Sequence, residues 1–218
     1  MAPSPSETSP PHPRPRVVII GITGASGALY AARTMELLAA AEVRMHLTVT
    51  KLGRRLLADE LGMKKVDADM LTGGRGGMVT VHGDSDLGAP IASGSFLHDG
   101  MVIVPCSGNT LGAIAAGITE NLTQRAAAVT LKERRRLVLA HRESPLSHID
   151  ILNMQRLSEA GAIIAPLAPG FYLLPRTVED LVDFMAGKLL DLLGVEHDLA
   201  TRWAGEVGRE EEPRQIDA

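Results

Sequence analysis

Residues 17–22 read VVIIGI, and this run of β-branched side chains constrains the fold more than any other stretch. Such a segment suits a strand covered on both faces, which implies a parallel sheet with helices on either side. Gly21, Gly24 and Gly27 let the backbone turn sharply after it, and residues 28–41 are rich in helix formers. A strand, a glycine turn and a helix start together put free N–H groups and a partial positive charge where an anion can sit. Thr23-Gly24-Ala25-Ser26-Gly27 therefore reads as a phosphate cradle, with Ser26 adding a hydroxyl. The spacing is not G-x-G-x-x-G, and no Gly-Lys-Ser/Thr follows. A dinucleotide site also wants an acid after the second strand to hold a ribose. The chain has Thr50-Lys51 there, so the reading is a mononucleotide site.

The alternation continues along the chain. Residues 43–49, 101–104, 137–141 and 162–166 read as strands. Residues 52–61, 122–133, 149–160 and 177–193 read as helices, as does a segment ending near 116, while 65–77 reads as a glycine-punctuated loop. Thr177 and Asp180 form a capping-box pair at the start of the last helix, and Gly194 stops it. The expected fold is α/β: a Rossmann-like or flavodoxin-like open parallel sheet with helices on both faces, in a single domain over residues 16–205. Residues 1–15 hold six prolines and read as a disordered leader, and residues 206–218 as a polar tail.

Composition narrows the function. A net charge of −4 argues against a general nucleic-acid binder. Cys106 is the one cysteine, so no disulfide can form within the chain. With neither a signal peptide nor a run long enough to span a membrane, the expectation is a cytoplasmic protein. The histidines lack metal-ligand spacing, so no metal is expected, and His46 reads as a satisfied core histidine.

Open parallel sheets bind ligands beyond the carboxyl ends of their strands, so chemistry is sought there. Pro105-Cys106-Ser107-Gly108-Asn109-Thr110 follows the third predicted strand, with Ser107, Asn109 and Thr110 able to hydrogen-bond a ligand. Cys106 has no evident base nearby and reads as inert. Arg142 and Glu143 follow residues 137–141. Arg125 and Lys132 are seven apart and share a helix face, so these cations with Arg142 suit phosphate oxygens, and Glu143 among them suits proton exchange. Arg134, Arg135 and Arg136 read as a solvated helix end. Tyr172, in Pro169-Gly170-Phe171-Tyr172, can stack or donate a hydrogen bond, and Ser93-Gly94-Ser95 is a weaker candidate for ligand contact.

Together these stretches resemble a known family. ITGASGALYAARTMELL, SGS, VPCSGNTLGAIAAG, NLTQRAAAVTLKERRRLVLAHRESPL, NMQRLSEAGAIIAPLAPGFY and the closing RWAG are similar to the flavin prenyltransferases, the UbiX/Pad family, over about residues 16–205. The resemblance implies a dodecamer with active sites between subunits. It implies alkylation of reduced FMN by dimethylallyl monophosphate, at flavin N5 and then C6, without a metal. The product, prenylated FMN, serves UbiD-type decarboxylases. By the same resemblance Gly24, Ala25, Ser26, Thr50, Ser107, Gly108, Asn109, Thr110 and Arg142 contact FMN. Ser26, Glu60, Arg125, Lys132, Glu143, Tyr172 and Lys188 surround the prenyl phosphate, and Trp203 lies near the prenyl group. Two positions depart from the pattern: Lys188, where many members carry Arg, and Gly108, where many carry Thr.

Two other functions fit parts of the pattern. A flavin-dependent cysteine decarboxylase shares a PCSGNT-like segment, but the catalytic histidine and substrate clamp of that family are not evident. A non-catalytic flavin carrier for a decarboxylase would bind FMN without turnover.

Overall fold

The computed structural model describes residues 15–201. Its strands are β1 (Val17–Ile22), β2 (Arg44–Val49), β3 (Val79–His82), β4 (Gly100–Cys106), β5 (Leu137–His141) and β6 (Ile163–Ile164). They form one sheet in the order β3-β2-β1-β4-β5-β6, with every neighbouring pair parallel. That is the Rossmann strand order, and it reverses direction between β1 and β4. The helices are α1 (Ala28–Ala40), α2 (Lys51–Leu61), α3 (Ala68–Thr72), α4 (Gly108–Ala115), α5 (Leu122–Lys132), α6 (His148–Glu159) and α7 (Val178–Leu193).

Alternation along each strand feeds two cores. Val18, Ile20, Ile22, Met45, Leu47 and Val49 pack with Met35 and Leu38 of α1 and Leu189 and Leu193 of α7. Ile19, Met101, Ile103, Leu137 and Leu139 pack on the other face with Leu111 of α4, Ala126 of α5 and Leu157 of α6. Because both faces are covered, the central strands carry apolar residues at nearly every position. No helix among the described residues is long and apolar enough to cross a membrane.

Most expected elements stand within a residue or two of their observed ends. Thr177 and Asp180 make the capping box of α7, and Gly194 closes it with φ 69°. The segment 65–77 is not all loop: it contains α3, capped by Asp67, which accepts from Met70 N, and ended by Gly73 in the left-handed conformation. β3 escaped the sequence reading because it is a four-residue edge strand without a buried run. The strand expected over 162–166 is only two residues long. The leader, the polar tail and Trp203 lie outside the described residues.

Candidate functional site

The loops leaving β1 and β4 meet where the sheet reverses, and Thr23 ties them together. Its hydroxyl, fully buried, donates to Pro105 O at 2.7 Å and accepts from Ser107 N at 2.8 Å. Residues 23–27 and 107–110 thus lie side by side where the sheet reverses. Ser107 caps α4 by accepting from Thr110 N, and its hydroxyl donates to Thr110 Oγ1 at 3.2 Å. Thr50 caps α2 by accepting from Gly53 N at 3.0 Å. Its hydroxyl hydrogen stays available to a ligand, since accepting uses only a lone pair.

The phosphate-cradle reading needs one correction. The α1 amides were expected to be free, yet Glu60 reaches across from α2 and takes two of them. Its carboxylate accepts from Gly27 N at 3.1 Å and Ala28 N at 2.8 Å. A carboxylate at a helix N-terminus is itself favourable, so the anion position on these two groups is filled from within the chain. Gly24 and Ser26 remain exposed beside it.

At the end of β5, Arg142 carries a buried Nε with no hydrogen-bond partner. A buried donor left unpaired costs about 1–3 kcal/mol, so this one calls for an acceptor that the described residues do not supply. Glu143, next in sequence, is exposed and accepts from Ser144 N at 3.1 Å. It makes no ion pair among the described residues, and Lys132, one of the cations expected around it, lies elsewhere. Leu122, at the start of α5, donates to the carbonyl of Asp84 beyond the carboxyl end of β3, whereas Arg136, shortly after α5, accepts from Met101 N near the start of β4. The eleven residues of α5 therefore descend the sheet by about 15 Å. Lys132 ends near the amino edge, and β5 must climb about 16 Å back before Arg142 and Glu143 are reached.

The shared face of Arg125 and Lys132 is real. Arg125 Nε donates to Ala92 O at 3.1 Å, and Lys132, paired with Glu133, lies against Gly94. A Cβ on Gly94 would meet Glu133 Oε1 at 2.3 Å and Lys132 Nζ at 2.8 Å. Ser93-Gly94-Ser95 therefore belongs with the cations of α5 and not with this protomer's own strand ends. Arg135 is not a solvated helix end: it donates to Phe96 O at 2.7 Å and Gly94 O at 2.8 Å.

Tyr172 and Lys188 do come together. They line one cavity of about 540 Å³ with Ile164, Pro166, Phe184 and Thr201. Tyr172 packs edge-on against Phe184 with ring centroids 5.6 Å apart. Cys106 is fully buried, and burial pushes its thiol up to about 12, which removes it as a nucleophile. His46 is bonded to His82, Nδ1 to Nε2 at 2.8 Å, a partner invisible until β3 is placed beside β2.

Sequence reasoning missed Gly53 and His141. A Cβ on Gly53 would meet Ile22 O at 2.4 Å, so glycine lets α2 approach the end of β1. His141 is buried and its Nδ1 lies 2.9 Å from Cys106 O, joining the ends of β4 and β5. Its place as the last residue of a buried strand, just before Arg142, was the available signal.

This strand order, with polar loops at the reversal and a capped helix start beside them, defines a nucleotide-binding α/β protein of Rossmann type. Comparison with known proteins narrows the class. A family model described as Flavoprotein matches residues 6–190. A flavin prenyltransferase UbiX of Halalkalibacterium halodurans is 46% identical over 194 residues, covering 87% of this chain and 94% of that one. Among solved structures, AnUbiX in complex with FMN and dimethylallyl pyrophosphate aligns with a TM-score of 0.80 and 38% identity, over 89% of this chain and 100% of that one. A dodecameric FMN-dependent UbiX-like decarboxylase from Escherichia coli aligns with a TM-score of 0.78 and 40% identity, over 87% of this chain and 100% of that one. The chain belongs to the flavoprotein family and, within it, to the flavin prenyltransferases of the UbiX type.

Proposed function

We propose that this chain joins the dimethylallyl group of dimethylallyl monophosphate to N5 and C6 of reduced FMN, with no metal, and that the prenylated FMN passes to a UbiD-type decarboxylase. The observation that carries the reading is the cavity shared by Tyr172 and Lys188, whose cation and hydroxyl suit a phosphate and whose apolar walls suit a prenyl tail, with Asp191 the one carboxylate among its lining residues. In this reading Gly24, Ala25, Ser26, Thr50, Ser107, Gly108, Asn109, Thr110 and Arg142 hold FMN. The residues present fit that ligand, because the unpartnered Nε of Arg142 is a buried donor awaiting an oxygen or nitrogen acceptor. Reduced FMN, when bound, supplies the electron-rich N5 and C6.

The remaining residues act on the donor. An allylic monophosphate leaves readily only when its charge is neutralised, and Lys188, Arg125 and Lys132 supply that neutralisation. Tyr172 holds the phosphate by its hydroxyl. Glu143 gives a proton to the departing phosphate oxygen and takes one up afterwards. Glu60 stands beside the prenyl phosphate, Ser26 stands between the two ligands, and Trp203 offers an aromatic face to allylic positive charge. Since α5 carries Lys132 away from this protomer's Glu143, the face that Lys132 shares with Arg125 serves the site of a neighbouring copy. The assembly is a homo-oligomer, a dodecamer as for the Escherichia coli relative, and works in the cytoplasm.

The test is anaerobic incubation with reduced FMN and dimethylallyl monophosphate, followed by mass spectrometry. A species equal to FMN plus C5H8 is expected, and recovery of FMN alone refutes the reading. Glu143→Gln and Lys132→Ala are each expected to retain FMN and lose product. Co-assembly of the two variants restores part of the activity if the site is shared between copies, and none if it is not.

A further inference from the structure

Asp84 lies two residues beyond β3 and belongs to no motif read from the sequence. Its Oδ1 accepts from Thr123 Oγ1 at 2.8 Å, from Thr48 Oγ1 at 3.1 Å and from Thr123 N at 3.3 Å. Its own carbonyl accepts from Leu122 N at 2.7 Å. Thr48 and Thr123 are fully buried, with hydroxyl oxygens 3.2 Å apart. Gly21 completes the junction, since a Cβ there would press on Thr123 Cγ2 at 3.0 Å. Groups from β2 and the first turn of α5 thus converge on one carboxylate at the exit of β3, with β1 packed beside them at Gly21.

The two threonines have a telling place in the chain. Thr48 precedes Thr50 by two residues, and Thr123 precedes Arg125 by two. We infer that Asp84 is a positioning residue for prenyl transfer, fixing α5 and its cations Arg125 and Lys132 against the sheet. This inference rests on the function proposed above. Removal of the carboxylate leaves two buried hydroxyls that can pair only with each other, so one O–H loses its acceptor. The helix itself persists, because Asn121 still caps it by accepting from Gln124 N at 2.9 Å. What is lost is the registration of α5, and with it the aim of the cations that meet the donor phosphate. FMN is held mainly by the loops after β1, β4 and β5, which Asp84 does not touch, so its binding changes less than donor use.

The experiment measures Asp84→Ala and Asp84→Asn in the full-length oligomer, with FMN affinity by flavin fluorescence and KM and kcat for dimethylallyl monophosphate. Asp84→Ala is expected to raise the KM for the donor about tenfold, the scale of one hydrogen bond to a charged group, and to lower FMN affinity by no more than about twofold. Asp84→Asn retains an acceptor oxygen and restores most of the loss. An unchanged KM, or equal loss of FMN affinity and donor use, overturns the inference. If Asp84→Ala does not fold, Thr123→Val, which replaces the hydroxyl with a methyl group of similar size, is expected to show the same rise in KM, and an unchanged KM there overturns it equally. A wild-type enzyme that forms no adduct sinks the prenyltransferase reading; an active wild type with an unaffected variant sinks this inference alone.

Discussion

Gly53→Ala tests how tightly α2 is seated on the end of β1. A Cβ at this position would stand 2.4 Å from Ile22 O and 3.0 Å from Ile22 C, both backbone atoms that cannot rotate away. Relief requires α2 to lift by about 1 Å, at an overpacking cost of about 1–3 kcal/mol. The lift also strains the Thr50 N bond to Ile22 O, now 3.0 Å, which is worth about 0.5–1.5 kcal/mol. Alanine returns about 1 kcal/mol of helix propensity. The net loss is about 1–3 kcal/mol, or about 3–10 °C in melting temperature for a chain of this size. The assay is thermal unfolding at fixed protein concentration, with Gly77→Ala as the control. Gly77 has nothing within 4 Å of its Cβ position and no positive φ, so alanine there leaves the melting temperature unchanged or slightly higher. Because Ile22 leads directly into residues 23–27, FMN affinity falls in the same variant. A Gly53→Ala protein that melts with the wild type and binds FMN equally well refutes the account.

Three further outcomes follow from the structure. Burial, then the nearby His82 and His98, hold His46 below the ordinary histidine range, and burial does the same for His82 against an opposing pull from Asp86. The unfolded chain takes up protons below about pH 6.5 where the fold does not, so stability is full above that pH and declines as pH falls; His82→Gln should flatten the decline in melting temperature between about pH 7 and 5 relative to wild type. Lys188→Arg keeps the charge and adds a bidentate fork in the cavity with Tyr172, so the KM for dimethylallyl monophosphate should drop a few-fold, and a rise would count against phosphate contact there. Cys106, with its thiol pushed up to about 12 by burial, should resist thiol reagents until the protein unfolds, and Cys106→Ala should retain turnover; a folded variant without turnover would contradict this.

The legible parts of the fold are those whose burial is uniform. β1 announces itself because both its faces are covered, and α7 because Thr177, Asp180 and Gly194 satisfy its ends locally. β3 is four residues at a half-exposed edge, and α3 is five residues long, too short for a period to register. The site divides in the same way. Strand-end loops can be located from the strands alone, so residues 23–27, 107–110 and Arg142 were legible. Asp84 and Gly53 were not, because each is explained by groups far along the chain: Thr48 and Thr123 stand 36 and 39 residues from Asp84. Glu60 shows a third case. The resemblance placed it at the ligand, yet only the folded chain brings it to the amides that the glycine loop alone would offer to phosphate.

The cations of α5 mark the limit of periodicity as a guide. A spacing of seven correctly put Arg125 and Lys132 on one face, and that face does point as a unit toward the carbonyl of Ala92 and the gap left by Gly94. Helical period says which residues face together and nothing about what they face. Right-handed crossovers make α5 run opposite to the strands, so its last turn must end at the edge of the sheet away from the strand-end loops. Glu143 has no ion pair among the described residues, although the chemistry assigned to it needs cations alongside. Within one protomer Lys132 and Glu143 therefore stand about a strand length apart, and the proposed donor site brings them together only if a second copy sets its α5 against the first copy's β5.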